Sequence, residues 1–68
     1  MYAILVDDKF VTGFETNPTR TSEITSVFHS EDQRMCLYFS CVKDRDRTLE
    51  RLKNSFATKT FEGVDLDD

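Results

Sequence analysis

The sequence predicts a small α+β domain, in which an antiparallel sheet of three to four strands packs on one C-terminal helix. Residues 2–15 contain two apolar runs separated by an acidic turn, residues 34–42 alternate between apolar and other side chains, and residues 44–57 carry apolar residues at helical spacing. Alternation with period two is typical of strands, and spacings of three and four are typical of amphipathic helices. The 68 residues suffice for one domain, which we expect to span 1–62.

The N-terminal β-hairpin, over 2–15, is the most clearly patterned element. Residues 2–6 are a short apolar run that presents apolar side chains to both faces, which favours a covered strand. Asp7 and Asp8 predict a tight turn, because aspartate tolerates turn geometry and bonds its own backbone. Gly13, within the return strand, indicates a β-bulge.

The middle of the chain has weaker patterns. Residues 16–22 hold the only proline and no large apolar side chain, which predicts a loop. Residues 24–29 fit one helical turn, but their β-branched and aromatic content favours a strand. Residues 34–42 are predicted as the central strand, and a helix that begins after a Ser30 capping box is the alternative.

The next segment predicts a helix over 44–57. Asp44 or Asp46 is suited to cap it and to complement the positive end of the helix dipole. Positions at spacings of three and four form one apolar stripe, made of Leu49, Leu52 and Phe56.

The end of the chain divides into a strand and a tail. Residues 58–62 have β character and predict a final strand, which Gly63 would end. Residues 63–68 are acidic and contain no base, so we expect a flexible tail.

The chemistry-bearing residues do not assemble into a recognisable active site. His29 is the only histidine, and Cys36 and Cys41 would point to opposite faces of a strand. A zinc site needs four ligands at short paired spacings, which this chain lacks. A domain of this size also has a thin core with little material to wall a ligand cavity. We therefore predict no enzymatic activity, no cofactor, no metal and no small-molecule substrate.

Composition indicates the compartment. A small secreted domain normally carries several disulfides, whereas this chain has two cysteines. No apolar run is long enough to cross a membrane, and no signal-like segment opens the chain. These observations predict a cytoplasmic protein without membrane partners.

Charge is unevenly distributed along a chain of net charge −4. Residues 43–59 hold six basic and three acidic residues, whereas the rest is acidic. One alternative function is nucleic-acid binding through the basic segment, where Arg45, Arg47 and Arg51 suit phosphate contacts. The other is an acidic nucleic-acid mimic that inhibits a nucleic-acid-binding protein.

The function that remains is protein–protein interaction, either with a partner protein or by self-association as a homodimer. A small sheet with one helix leaves unpaired edges and one open face, which are surfaces for another chain. Size, acidity and lack of catalytic chemistry are typical of small accessory or regulatory proteins of bacteria and phages. The candidate interaction surface comprises Tyr2, Phe10, Phe14, Tyr38, Arg45, Arg47 and Arg51.

Overall fold

The structure, a computed structural model that describes residues 1–66, is a four-stranded antiparallel sheet with one α-helix packed on one face. The predicted α+β class is confirmed. The strands lie in the order β3-β2-β1-β4, so that β3 and β4 are the sheet edges. In chain order the elements are β1 (Tyr2–Val6), β2 (Lys9–Asn17), β3 (Arg20–Ser30), a 3₁₀ turn (Gln33–Met35), α1 (Val42–Ser55) and β4 (Phe61–Asp65).

The predicted turn at Asp7 and Asp8 is confirmed. Their φ angles are 49° and 70°, as in the two-residue turns whose twist matches that of the flanking strands. Asp7 also anchors the start of β4, because its N–H donates to the Thr60 carbonyl at 2.9 Å and its carboxylate accepts from the Thr60 N–H at 3.1 Å. One short acidic turn therefore fixes both neighbours of β1.

The predicted loop over 16–22 is wrong, because β2 and β3 continue through most of it. Asn17 pairs with Arg20 across a two-residue turn, and the Asn17 side-chain carbonyl accepts from the N–H and the hydroxyl of Thr19 at 3.0 and 2.9 Å. This local side-chain turn needs no longer loop. The strand predicted over 24–29 is confirmed, within the longer β3.

The bulge expected near Gly13 is present in β2. The register of the β2–β3 pair shifts between Val11 and Gly13, which leaves Thr12 as the extra residue. As a result Val11 is buried in the core and Phe14 packs against it. The bulge therefore places Val11 and Phe14, which are three residues apart, on the same side of the sheet.

The central strand predicted over 34–42 is wrong. Local polar bonds take its place: the Ser30 hydroxyl accepts from the Asp32 N–H at 3.1 Å, and the Asp32 carboxylate accepts from the Arg34 N–H at 2.9 Å. Such side-chain bonds compete with strand pairing and favour the short 3₁₀ turn. A helix launched from Ser30 does not form either.

The extended residues after this turn fill a gap between β1 and β2. Tyr2 and Phe39 exchange two backbone hydrogen bonds, at 2.9 and 2.8 Å, and the Leu37 N–H donates to the Val11 carbonyl at 2.9 Å. Phe39 packs against the core, Cys36 is buried and Cys41 is exposed. The alternating segment 34–42 thus forms one isolated β-bridge, at Phe39, and not a full strand.

The predicted helix is present, but both ends lie two residues earlier than expected, at Val42 and Ser55. Cys41 is the N-cap without a side-chain bond, so that neither Asp44 nor Asp46 caps the helix. Asp44 still lies in the first turn, where a negative charge is favourable. The predicted apolar stripe is confirmed as the packing face: Leu52 is fully buried, and Leu49 and Phe56 pack on the core.

The final strand also lies later than predicted over 58–62. β4 begins at Phe61, and Gly63, expected to end it, pairs with Ile4 in mid-strand. Hence the first half of the predicted 63–68 tail belongs to the sheet, while Asp67 and Asp68 lie outside the described residues. β4 continues to Asp65 because five consecutive residues of β4 pair with five residues of β1 without a register shift.

The core lies between α1 and one face of the sheet, and comprises Ile4, Val6, Val11, Ile24, Leu52 and Phe61. Residues directly opposite each other in an antiparallel pair project to the same face, and neighbours along a strand project to opposite faces. The pairings Leu5–Phe10, Ala3–Val64 and Gly13–Phe28 therefore lie on the other side. We call this side the helix-free face, and its central residues are Leu5, Phe10, Gly13, Phe28 and Val64.

Candidate interaction surface

The helix-free face presents apolar side chains that α1 does not cover. Leu5, Phe10 and Val64 are half-buried, and 46% of Phe28 is exposed. The β1–β2 turn sets Phe10 beside Leu5, and the β2–β3 register sets Phe28 opposite Gly13. The sheet itself therefore positions these side chains, because each sits on a paired strand.

Gly13 leaves a notch beside Phe28. A Cβ atom added at Gly13 would meet no heavy atom within 4 Å, and its φ is not in the positive region. A larger residue would therefore fit here, and β-branched residues are the usual choice in a strand. The face therefore has open space at Gly13 and a protruding aromatic ring beside it at Phe28.

Polar and amphipathic residues surround this apolar centre. Glu62 pairs with Leu5 and Glu15 pairs with Ser26, and both glutamates are exposed at opposite ends of the face. Tyr38, of which 42% is exposed, donates its hydroxyl hydrogen to the Gln33 carbonyl at 3.1 Å. An apolar centre with a polar rim is the arrangement found at protein interfaces.

Two of the predicted surface aromatics lie on the helix side of the sheet. Tyr2 is half-buried below the Arg45 guanidinium, whose carbon lies 5.5 Å from the ring centroid. Phe14 packs against the core, and the Arg51 guanidinium lies 5.8 Å from its ring centroid. Of the four predicted aromatics, Phe10 lies on the helix-free face and Tyr38 at the exposed 3₁₀ connection.

Arg45 connects α1 to β4 and is 8% exposed. Its Nε donates to the Asp46 carboxylate at 2.7 Å, and its Nη1 donates to the Val64 carbonyl at 2.9 Å. Nη1 also lies 3.6 Å from a carboxylate oxygen of Asp65. The guanidinium lies over Gly63, where an added Cβ would come within 2.8 Å of Cζ. Gly63 is therefore needed because the side chain above it occupies the space.

The other predicted arginines differ from each other. Arg51 is half-buried, and its Nη2 donates to the Thr21 carbonyl at 2.7 Å, which ties α1 to β3. Arg47 is exposed, and its side chain forms no hydrogen bond or ion pair within residues 1–66. The three arginines thus do not form one solvent-facing cationic surface, since two of them bond to the sheet.

Sequence reasoning missed Phe28 and Gly13 as surface features and took Arg45 for a surface residue. A signal for Arg45 was present, because it lies four residues before Leu49 and so continues the apolar stripe toward the helix N-terminus. No comparable signal existed for Phe28, because its face depends on the register shift in β2.

One ion pair at the surface shifts the pKa of both of its members. The Arg34 guanidinium hydrogen-bonds the Asp32 carboxylate and holds the pKa of that carboxyl below its usual value, and the same contact raises the pKa of Arg34. Arg34 is exposed and Asp32 is half-buried, and the two lie two residues apart, so this pair is a local surface interaction. Within residues 1–66, no pocket forms and no group of three or more metal-type ligands assembles.

Comparisons with protein-family models, with curated proteins and with solved structures find no match for this chain. Within the described part of the chain, no helix has the length and apolar character needed to cross a membrane.

Proposed function

We propose that this protein acts by protein–protein interaction, and that a second copy of the chain binds the helix-free face of its sheet. The observation that supports this most directly is the pairing of a protrusion with a notch. Phe28 is 46% exposed and lies directly opposite Gly13, beside which a side chain would have room.

A protrusion and a notch side by side favour a symmetric dimer. In a two-fold interface the same patch meets itself, so that each residue contacts the partner's copy of its complement. An axis that passes between Phe28 and Gly13 sets each ring against the other subunit's glycine. Sheets that pack face to face lie about 10 Å apart, a spacing that an aromatic side chain spans.

The charge distribution supports a like partner at this face. Each chain carries a net charge of −4, so two copies repel each other except where the contact is uncharged. The centre of the helix-free face is uncharged, and its glutamates lie at the ends. The thin core of a chain this short also gains stability from a second apolar layer.

The proposal is tested by the molar mass in solution as a function of concentration, measured by sedimentation. We expect the parent chain to form a dimer, Phe28→Ser to remain a monomer, and Gly13→Val to remain a monomer because it fills the notch. Gly13→Val is the sharper variant, since valine suits a strand and leaves the monomer at least as stable to urea.

Val42→Ser is the matched control, because it removes another exposed apolar side chain, 38% exposed, from the first turn of α1. It should leave the dimer intact. A parent chain that is monomeric at high micromolar concentration, or a Gly13→Val variant that dimerises like the parent, would contradict the proposal.

We further propose a cytoplasmic location. Cys36 and Cys41 are both free thiols, which fits a reducing compartment. Labelling of the exposed Cys41 thiol in intact and in lysed cells tests this, because a cell-impermeant reagent should react only after lysis.

A further inference from the structure

The two edges of the sheet differ in how well they are protected. β3, at one edge, is irregular, because its pairing with β2 contains three register shifts. Its Thr21 carbonyl already accepts from Arg51 at 2.7 Å. Bulges and covering side chains are the usual devices that prevent an edge from pairing with another chain.

β4, at the other edge, has no bulge, and the side chain that bonds its backbone, Arg45, donates to the Val64 carbonyl. β4 pairs with β1 through five consecutive residues without a shift, and it contains no proline and no basic residue. The Leu66 N–H donates to the Met1 carbonyl, and the Asp7 N–H donates to the Thr60 carbonyl. These two bonds show which residue pairs of β1 and β4 are hydrogen-bonded to each other and which are not. Hydrogen-bonded pairs alternate along an antiparallel ladder, so Ala3–Val64 and Leu5–Glu62 are the bonded pairs.

The remaining residues of β4 therefore direct their backbone groups away from the sheet. These residues are Phe61, Gly63 and Asp65, and within residues 1–66 none of their N–H or carbonyl groups forms another hydrogen bond. Such a row is a template for one additional strand.

Charge indicates which kind of strand fits this row. Glu62 is exposed on the helix-free side of β4 and has no cationic partner within the described residues, and Val64 is half-buried on the same side. Directly opposite residues on neighbouring strands contribute most when a carboxylate faces a base and an apolar residue faces an apolar one.

A second copy of the chain does not meet this requirement. If two β4 strands pair in opposite directions about Gly63, Glu62 faces the partner's Val64 and Asp65 faces the partner's Phe61. No other register improves this, because Phe61–Asp65 contains no basic residue.

We infer that the β4 edge binds an extended segment of a different, basic polypeptide as a fifth strand. The segment sets a Lys or Arg opposite Glu62 and, two residues along, an aliphatic residue opposite Val64. The bound strand takes its affinity from the outward groups of Phe61, Gly63 and Asp65, and its selectivity from the two side-chain pairs. This site lies at the β4 edge of the helix-free face and includes Val64, whereas Phe28 and Gly13 lie on β3 and β2, on the other side of β1.

The test uses a capped peptide of the sequence Thr-Lys-Thr-Val-Thr-Lys and the full chain, followed by backbone NMR. We expect the amide signals of Phe61, Gly63 and Asp65 to shift and to gain hydrogen-exchange protection. A peptide with glutamates in place of its lysines should bind about three- to fivefold more weakly, as one cross-strand ion pair is worth that much. Glu62→Lys should reverse this preference, and Phe28→Ser should leave it unchanged.

An N-methylated peptide separates strand addition from charge attraction. Methylation of alternate amides keeps the lysines but removes the backbone donors, so we expect its binding to weaken more than about tenfold. Equal binding of the methylated peptide, or shifts confined to the acidic residues of α1, would overturn the inference. So would protection of the β4 amides that rises with protein concentration in the peptide-free Phe28→Ser variant, because that variant does not form the face-to-face dimer and a second copy would then occupy the β4 edge.

Discussion

At the scale of single residues, Arg45 shows how a charged side chain becomes part of the interior. It reaches from α1 across Gly63 to the Val64 carbonyl and lies over the Tyr2 ring. Its charge remains compensated, because Asp46 accepts from it at 2.7 Å and Asp65 lies at 3.6 Å. The guanidinium thus satisfies polar groups while its stem fills space between helix and strand.

Arg45→Ala should destabilise the fold by about 2 kcal/mol, since it removes charge-assisted hydrogen bonds and leaves a void above Gly63. Arg47→Ala is the matched control on the same helix and should change stability by less than about 0.5 kcal/mol, because Arg47 is exposed. Urea denaturation measures both. Equal effects would mean that the contacts of Arg45 contribute nothing to stability.

At the scale of elements, short side-chain bonds decide where strands stop. The turn at Asp7 and Asp8 holds two residues at positive φ, and the turn after Asn17 is closed by the Asn17 side chain. Both turns are compact, so β1, β2 and β3 follow each other as neighbours in the sheet. A similar local bond, from the Asp32 N–H to the Ser30 hydroxyl, turns the chain away from the sheet after β3.

Asp8→Gly should stabilise the hairpin by about 0.5 kcal/mol, because φ of 70° is strained for an L-residue and not for glycine. The same change at Asp7 is the control. Asp7→Gly also relieves a positive φ, but it removes the carboxylate that accepts from the Thr60 N–H at 3.1 Å. The melting temperature of Asp8→Gly should therefore be higher than that of the parent chain and higher than that of Asp7→Gly. If Asp8→Gly melts at the lowest temperature of the three, the turn is not strained at Asp8.

At the scale of the whole molecule, stability depends on a core of few residues. The molecule measures 37 × 22 × 18 Å, because the β2–β3 hairpin is much longer than β1 and β4. Among residues 1–66, only six form the buried cluster between sheet and helix. A domain of this size has a total stability of about 3–10 kcal/mol, so each core residue matters.

Leu52→Ala should cost about 3 kcal/mol, because Leu52 is fully buried and the cavity that remains cannot collapse completely. Leu49→Ala removes the same atoms from a half-buried position and should cost clearly less. Urea denaturation followed by circular dichroism should show a larger loss of unfolding free energy for Leu52→Ala than for Leu49→Ala. A folded Leu52→Ala variant that matches Leu49→Ala would indicate that the core repacks around the loss.

The sequence by itself determined those elements whose cause is local. Periodicity placed the first hairpin, the helix stripe of Leu52 and the α+β class, and β-branched and aromatic content placed the strand at 24–29, because each depends on residues close together in the chain.

Only the tertiary structure decided which surfaces are open. The alternation in 34–42 resembles a strand, yet the gap between β1 and β2 admits only the bridge from Tyr2 to Phe39. Arg45 looks like a surface cation until β4 supplies the Val64 carbonyl, 19 residues away in sequence. Phe28 is exposed because a bulge elsewhere sets its face, and β4 is an open edge because no element follows it within residues 1–66. These properties arise from contacts between distant segments, and periodicity along the chain does not encode them.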